Sequence, residues 1–146
     1  MSAHFAAKRP FTVTLTILGV VLLGLWNLGR AAALYREQDL LLSLQMQPDP
    51  RLRLLIAAVW AVIFGGLAWA VWRRRPFSQK ATPGLTALYA AGDLGLPFIF
   101  PTARLNQTGW LLTGVFYIII ILFMAWALNR PAANAYFKTE DTWTKK

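Results

Sequence analysis

Three stretches of this chain are apolar for about twenty residues at a time, and no ordinary soluble fold of this length can bury all of them. They run from Phe11 to Gly29, from Leu52 to Trp72 and from Gly109 to Leu128. A helix that crosses a bilayer needs about 20 predominantly apolar residues, so each is long enough to span. The whole chain is 57% hydrophobic and only 14% charged, against roughly 45–50% and 25% in ordinary globular domains. Lipid offers the backbone no hydrogen-bond partners, so such segments must satisfy themselves internally, and helix is preferred over strand even at Ile118-Ile119-Ile120-Ile121. The sequence therefore predicts an all-α integral membrane protein. A fourth, less regular segment from Leu85 to about Ala103 completes a four-helix bundle in one membrane domain over residues 1–146, because four spans of about 20 residues leave no room for a second folded unit.

The same composition narrows the chemistry. There is no cysteine, and the single histidine, His4, precedes the first apolar run. Thiolate and bis-histidine metal or haem sites within the membrane are thereby excluded, and so is a histidine general base there. The serines are only Ser2, Ser43 and Ser78, with no base to activate a nucleophile. Gly65-Gly66 lies inside an apolar helix without the Lys and Ser/Thr of a phosphate loop. No catalytic residue, metal or cofactor is expected, and an enzyme is the least favoured class. The net charge of +9 is accounted for by basic flanks beside acidic headgroups, without nucleic acid as a partner.

Flanking residues define the segments. Lys8 and Arg9 precede the first run, Pro10 suits a first helical position and Arg30 follows. A cleavable signal peptide is the rival reading, with Ala31-Ala32-Ala33 as its cleavage region, but the run is long for that and Arg30 adjoins the site. Leu34, Leu41 and Leu44 continue a helical spacing among Arg36, Glu37 and Asp39. The first helix is thus expected to run on to about Gln47, with Leu41 and Leu44 facing lipid or a partner. Pro48-Asp49-Pro50 stops it, and Asp49 can cap the second helix. Arg73-Arg74-Arg75-Pro76 ends the second span and Asn129-Arg130-Pro131 the fourth, while Trp110 and Trp126 mark the two interfaces of the latter. In the third segment Thr82-Pro83 offers a cap and first-position proline, whereas Gly92, Asp93, Gly95, Pro97 and Pro101 weaken a helix.

Charge arbitrates whether that segment crosses. With four spans and a cytoplasmic N-terminus, Lys8, Arg9, Arg73, Arg74, Arg75, Lys80, Arg130, Lys138, Lys145 and Lys146 lie inside, 10 of the 15 basic residues. Arg30, Arg36, Arg51, Arg53 and Arg104 lie outside, which is 5. With three spans the split becomes 7 inside against 8 outside. The positive-inside bias favours four spans and both termini in the cytoplasm.

Small residues recur every fourth position at Ala57, Ala61 and Gly65 and again at Ala87, Ala91 and Gly95. Such ridges let backbones approach where lipid supplies no hydrophobic drive, so packing of one ridge on the other is one expectation, and the general abundance of alanine and glycine in membrane helices is the other. Asp93, the only carboxylate in a predicted span, lies opposite the second ridge on a stripe with Thr86, Tyr89 and Pro97. No cation sits at matching depth when Asp93 is placed mid-membrane, so a neutral, hydrogen-bonded carboxyl is expected, with the helix bending at Pro97. Two readings follow: a structural acid in an irregular segment, which is preferred, or a proton or cation site as in transporters.

Arg9-Pro10, the loop Arg73-Arg74-Arg75-Pro76-Phe77, Leu88-Tyr89, Asn129-Arg130-Pro131 and Tyr136-Phe137 together give the chain a familiar outline. It resembles small, uncharacterised four-span membrane proteins of bacteria that open with Arg-Pro and close with Asn-Arg-Pro and Tyr-Phe. That resemblance implies four helices in an inner membrane and brings no activity with it. The chain is also similar in size to small multidrug transporters, but those carry an acidic residue in the first helix and this one does not. The expected role is an accessory or scaffold subunit of a membrane complex, or a homo-oligomer, with a proton- or cation-coupled transporter using Asp93 as the alternative.

Overall fold

Proline and charge set most of the helix ends. The computed structural model describes residues 9–43, 49–99 and 107–138. Among them are five helices: α1 (Phe11–Ser43), α2 (Pro50–Trp72), α3 (Pro76–Ile99), α4 (Gln107–Asn129) and α5 (Pro131–Lys138). Three of these, α1, α2 and the Gly109–Asn129 part of α4, are long and apolar enough to cross a membrane. The described chain is all-helical, without strands.

Pro50 opens α2 behind Asp49, whose side chain accepts a 2.8 Å hydrogen bond from the Arg51 amide, so one orphan donor of the first turn is satisfied. The other end of α2 closes without glycine. Arg74 adopts a left-handed φ of 58°, its amide donates to Val71 and the Arg75 amide donates to Ala70, the paired bonds of a Schellman motif. Pro76 then starts α3 immediately.

That start differs from the expected one at Leu85. Thr82-Pro83 does not cap α3 but lies within it, and the Thr82 hydroxyl donates back to the Ser78 carbonyl at 2.7 Å. Ser78 and Thr86 make equivalent bonds to Arg75 and Thr82, at 2.6 and 2.8 Å. All three hydroxyl residues are fully buried. Bonding to its own helix satisfies each hydroxyl without a partner from elsewhere.

α1 packs chiefly on α2, and α3 on α4. A Cβ added at Gly24 would lie 3.5 Å from Cβ of Phe64 and 3.9 Å from the Gly65 amide nitrogen. The ridge of Ala61 and Gly65 therefore meets α1. Ala57 is buried, but Gly65 is exposed on its other side. Along the second hairpin, Gln79 donates to the Leu128 carbonyl, Thr86 approaches Met124 and Trp110 donates to the Leu94 carbonyl. These contacts run α3 and α4 antiparallel over most of their length.

After the fourth apolar run the tail forms a further short helix. Pro131 begins α5, which turns back beneath the bundle and buries Ala133, Tyr136 and Phe137 against Val13, Ile17, Val71 and Leu128. Cations and aromatic rings stack at this same end: Arg9 over Trp72, Arg73 over Trp69, Arg74 over Tyr136 and Arg130 over Trp126, at 4.7, 4.9, 4.6 and 3.9 Å. The Tyr136 hydroxyl accepts from Arg9 and donates to the Trp72 carbonyl, and Gln79 donates to Asn134. This end joins the start of α1, the end of α2, the start of α3 and the end of α4.

Candidate functional site

At the other end of the core, Asp93 is held by two helices besides its own. Arg30 Nη1 of α1 lies 2.9 Å from Oδ1 and the Tyr117 hydroxyl of α4 donates to Oδ2, also at 2.9 Å. Both carboxylate oxygens thus have a donor, and one side chain ties α1, α3 and α4 together. The Arg30 and Asp93 side chains are 35% and 24% exposed, so the pair lies at the edge of the core, open on one side.

This pairing corrects the expectation of an acid without a cation. The physical reason is depth. With α3 beginning at Pro76, Asp93 lies about 26 Å along the helix from its start, and about 9 Å from its end at Ile99. It is not near the middle. Arg30 is the nineteenth residue after Phe11, about 28 Å along α1, and helical side chains slant toward their own N-terminus, which brings the guanidinium back to the level of Asp93. The two residues meet because both helices run the same way from the same end.

An aromatic chain supports the pair from below. Trp60 stacks on Phe64 at 5.6 Å, and Tyr89 meets Trp60, Phe64 and Tyr117 edge-on at 5.2, 5.2 and 5.9 Å. These offset and edge-to-face arrangements are the favourable ones for ring quadrupoles. Phe64 is fully buried and Tyr89 nearly so. The buried Tyr89 hydroxyl has no hydrogen-bond partner among the described residues.

Beside the pair lies a cavity of about 280 Å³ between α1, α2 and α3. Asn27, Arg30, Arg53, Asp93 and Tyr89 are among its lining residues, and Ala57, Ala91, Gly92 and Gly95 form part of its wall. The two small-residue ridges thus face one space through Ala57, Ala91 and Gly95; Ala87 lies outside this lining. Of the predicted polar stripe, Asp93 and Tyr89 come together here. Thr86 is two turns lower, bonded to Thr82. The helix continues through Pro97 to Ile99; the Pro97 side chain, Leu44, Arg104 and His4 lie outside the described residues. Arg30 and Tyr117 are the functional-site residues that sequence reasoning missed. The available signal was Arg30's position directly after an apolar run.

Among the described residues no three acidic or histidine side chains gather as a metal site. No protein-family model matches the chain, and no curated protein or solved structure shows significant similarity to it.

Proposed function

We propose that the protein is a multi-pass inner-membrane protein with four crossing helices and both termini in the cytoplasm, serving as a non-catalytic accessory or scaffold subunit of a membrane complex or as a homo-oligomer. The observation that carries this reading is the occupied carboxylate. A coupling carboxylate must exchange its proton or cation during a cycle, whereas Asp93 accepts from Arg30 and Tyr117 at once and joins three helices. The bacterial setting rests on the resemblance noted above. The alternative, a small proton- or cation-coupled transporter, is favoured by one observation: the cavity reaches Asp93 from the side.

Asp93→Asn separates the two. The amide oxygen still accepts from Arg30, but the amide NH2 can only donate to the Tyr117 oxygen, so that bond must reverse and the charge is lost; weakening charge-assisted bonds in this way costs about 1–3 kcal/mol. For a scaffold, the variant melts lower and still migrates with the wild-type assembly on native gels after mild detergent extraction. Monomeric wild-type protein, with pH-gradient-driven flux in vesicles that Asp93→Asn abolishes, would instead establish the transporter.

Orientation is tested by reporters. Basic residues Arg9, Arg73, Arg74, Arg75 and Arg130 share one end of the bundle with α5, which supports placing that end in the cytoplasm. Fusions after Lys80 and at Lys146 should report cytoplasmic, and one at Asn106 external. A periplasmic signal from Lys146 would reduce the bundle to three crossings.

A further inference from the structure

On the reading that this bundle sits in a bilayer, we infer that the cavity beside Asp93 is a binding site for an anionic membrane lipid, with the phosphate against Arg53 and Arg30 and an acyl chain leaving over the apolar rim. The charge count points to an anion. Two guanidinium groups face one carboxylate; Arg30 is paired with Asp93, whereas the Arg53 side chain makes no ion pair or hydrogen bond among the described residues. Tyr89, 3% exposed, lines the same space, and its buried hydroxyl has no hydrogen-bond partner among the described residues, so a small side-chain shift would let it donate to a phosphate oxygen. Arginine and phenol are strong, directional donors to such oxygens.

The walls point to a lipid rather than a free anion. Leu52, Ile56 and Ile99 stand at the rim, 48%, 38% and 70% exposed, so the opening is bounded by apolar side chains that continue the lipid-facing surface. Arg30 and Arg53 stand at the edges of the apolar stretches of α1 and α2, the level at which headgroup phosphates lie. Small residues keep the space open: a Cβ built at Gly92 or Gly95 meets nothing within 4 Å. At about 280 Å³ the cavity is near the lower end of the roughly 300–1,000 Å³ of ligand clefts. It accommodates a headgroup and the start of one chain, and the remainder of the tails lies along the helices.

The test is native mass spectrometry of the full chain in mild detergent, titrated with phosphatidylglycerol, with diacylglycerol of the same chains, and with inorganic phosphate as competitor. Phosphatidylglycerol should be retained about tenfold better than diacylglycerol, and Arg53→Gln should reduce that retention about tenfold. Arg51→Gln, which alters an exposed arginine outside the cavity, should leave it unchanged. Gly95→Leu should block binding by filling the space, with its melting temperature checked against wild type. Equal retention of the two lipids, or wild-type retention by Arg53→Gln, overturns the site. Displacement by millimolar inorganic phosphate also overturns it, assigning the arginines to a free anion. Alkaline carbonate extraction is run alongside: a chain that stays in the membrane pellet but fails the lipid titration loses only this site, whereas a released chain refutes the membrane reading and this inference with it.

Discussion

Arg30→Leu should be among the most damaging single replacements in the protein, lowering stability toward the lower end of the about 3–5 kcal/mol that follows removal of one partner from a buried ion pair. The loss comes less from the attraction itself than from what remains. Without the guanidinium, Asp93 keeps only the Tyr117 hydroxyl and must either ionise in a poorly solvated place or take up a proton. The lower end applies because Arg30 is 35% and Asp93 24% exposed, which permits some relief by solvent or headgroups. Arg30→Lys should be milder, since an ammonium can approach one oxygen but lacks the planar fork. Thermal unfolding in detergent, followed by circular dichroism, measures both. Wild-type melting of Arg30→Leu would mean the pair contributes nothing.

Phe64→Ala should have a comparable effect for a different reason. Phe64 is fully buried, stacks on Trp60, meets Tyr89 edge-on and lies against Gly24 at the α1–α2 crossing. Truncating a core phenylalanine costs about 3–5 kcal/mol in water-soluble proteins, partly by transfer and partly by the cavity left behind. Between helices in lipid the transfer share falls away, because the surrounding tails are as apolar as the core, so the lower end of the range is expected. The remaining cost is lost packing and ring contact. Phe64→Leu should recover most of it by refilling the volume. The ratio of folded to aggregated protein after detergent extraction, with melting temperature, tests this; an alanine variant equal to wild type would show that the aromatic chain does not hold the bundle.

How far the sequence reveals this arrangement depends on whether a feature is local. Asp49-Pro50 marks the start of α2, and the bond from the Arg51 amide is the one its residue types predict. Thr82-Pro83 carries the same kind of signal and misleads, because Pro76 has already started the helix two turns earlier, and an interior proline is tolerated in a membrane helix packed against its neighbours. That difference of nine residues, about 14 Å of helix, is what hides the partner of Asp93: depth decides which residues meet, and depth depends on where a helix begins. Small-residue ridges are legible as ridges, but which helix each one meets is a tertiary property; Ala61 and Gly65 meet Gly24. In α5 the spacing of Ala133, Tyr136 and Phe137 is helical, but eight residues are too few for periodicity to stand out.

A double-mutant cycle between Arg30 and Asp93 distinguishes an Asp93 that clamps three helices from one that exchanges a proton or cation. Arg30→Leu, Asp93→Leu and the combined variant are unfolded under identical detergent conditions. A clamp predicts that the combined variant is more stable than either single one, because removing both charges leaves neither stranded, with a coupling of at least about 2 kcal/mol. Single effects that simply add, to within about 0.5 kcal/mol, would contradict it.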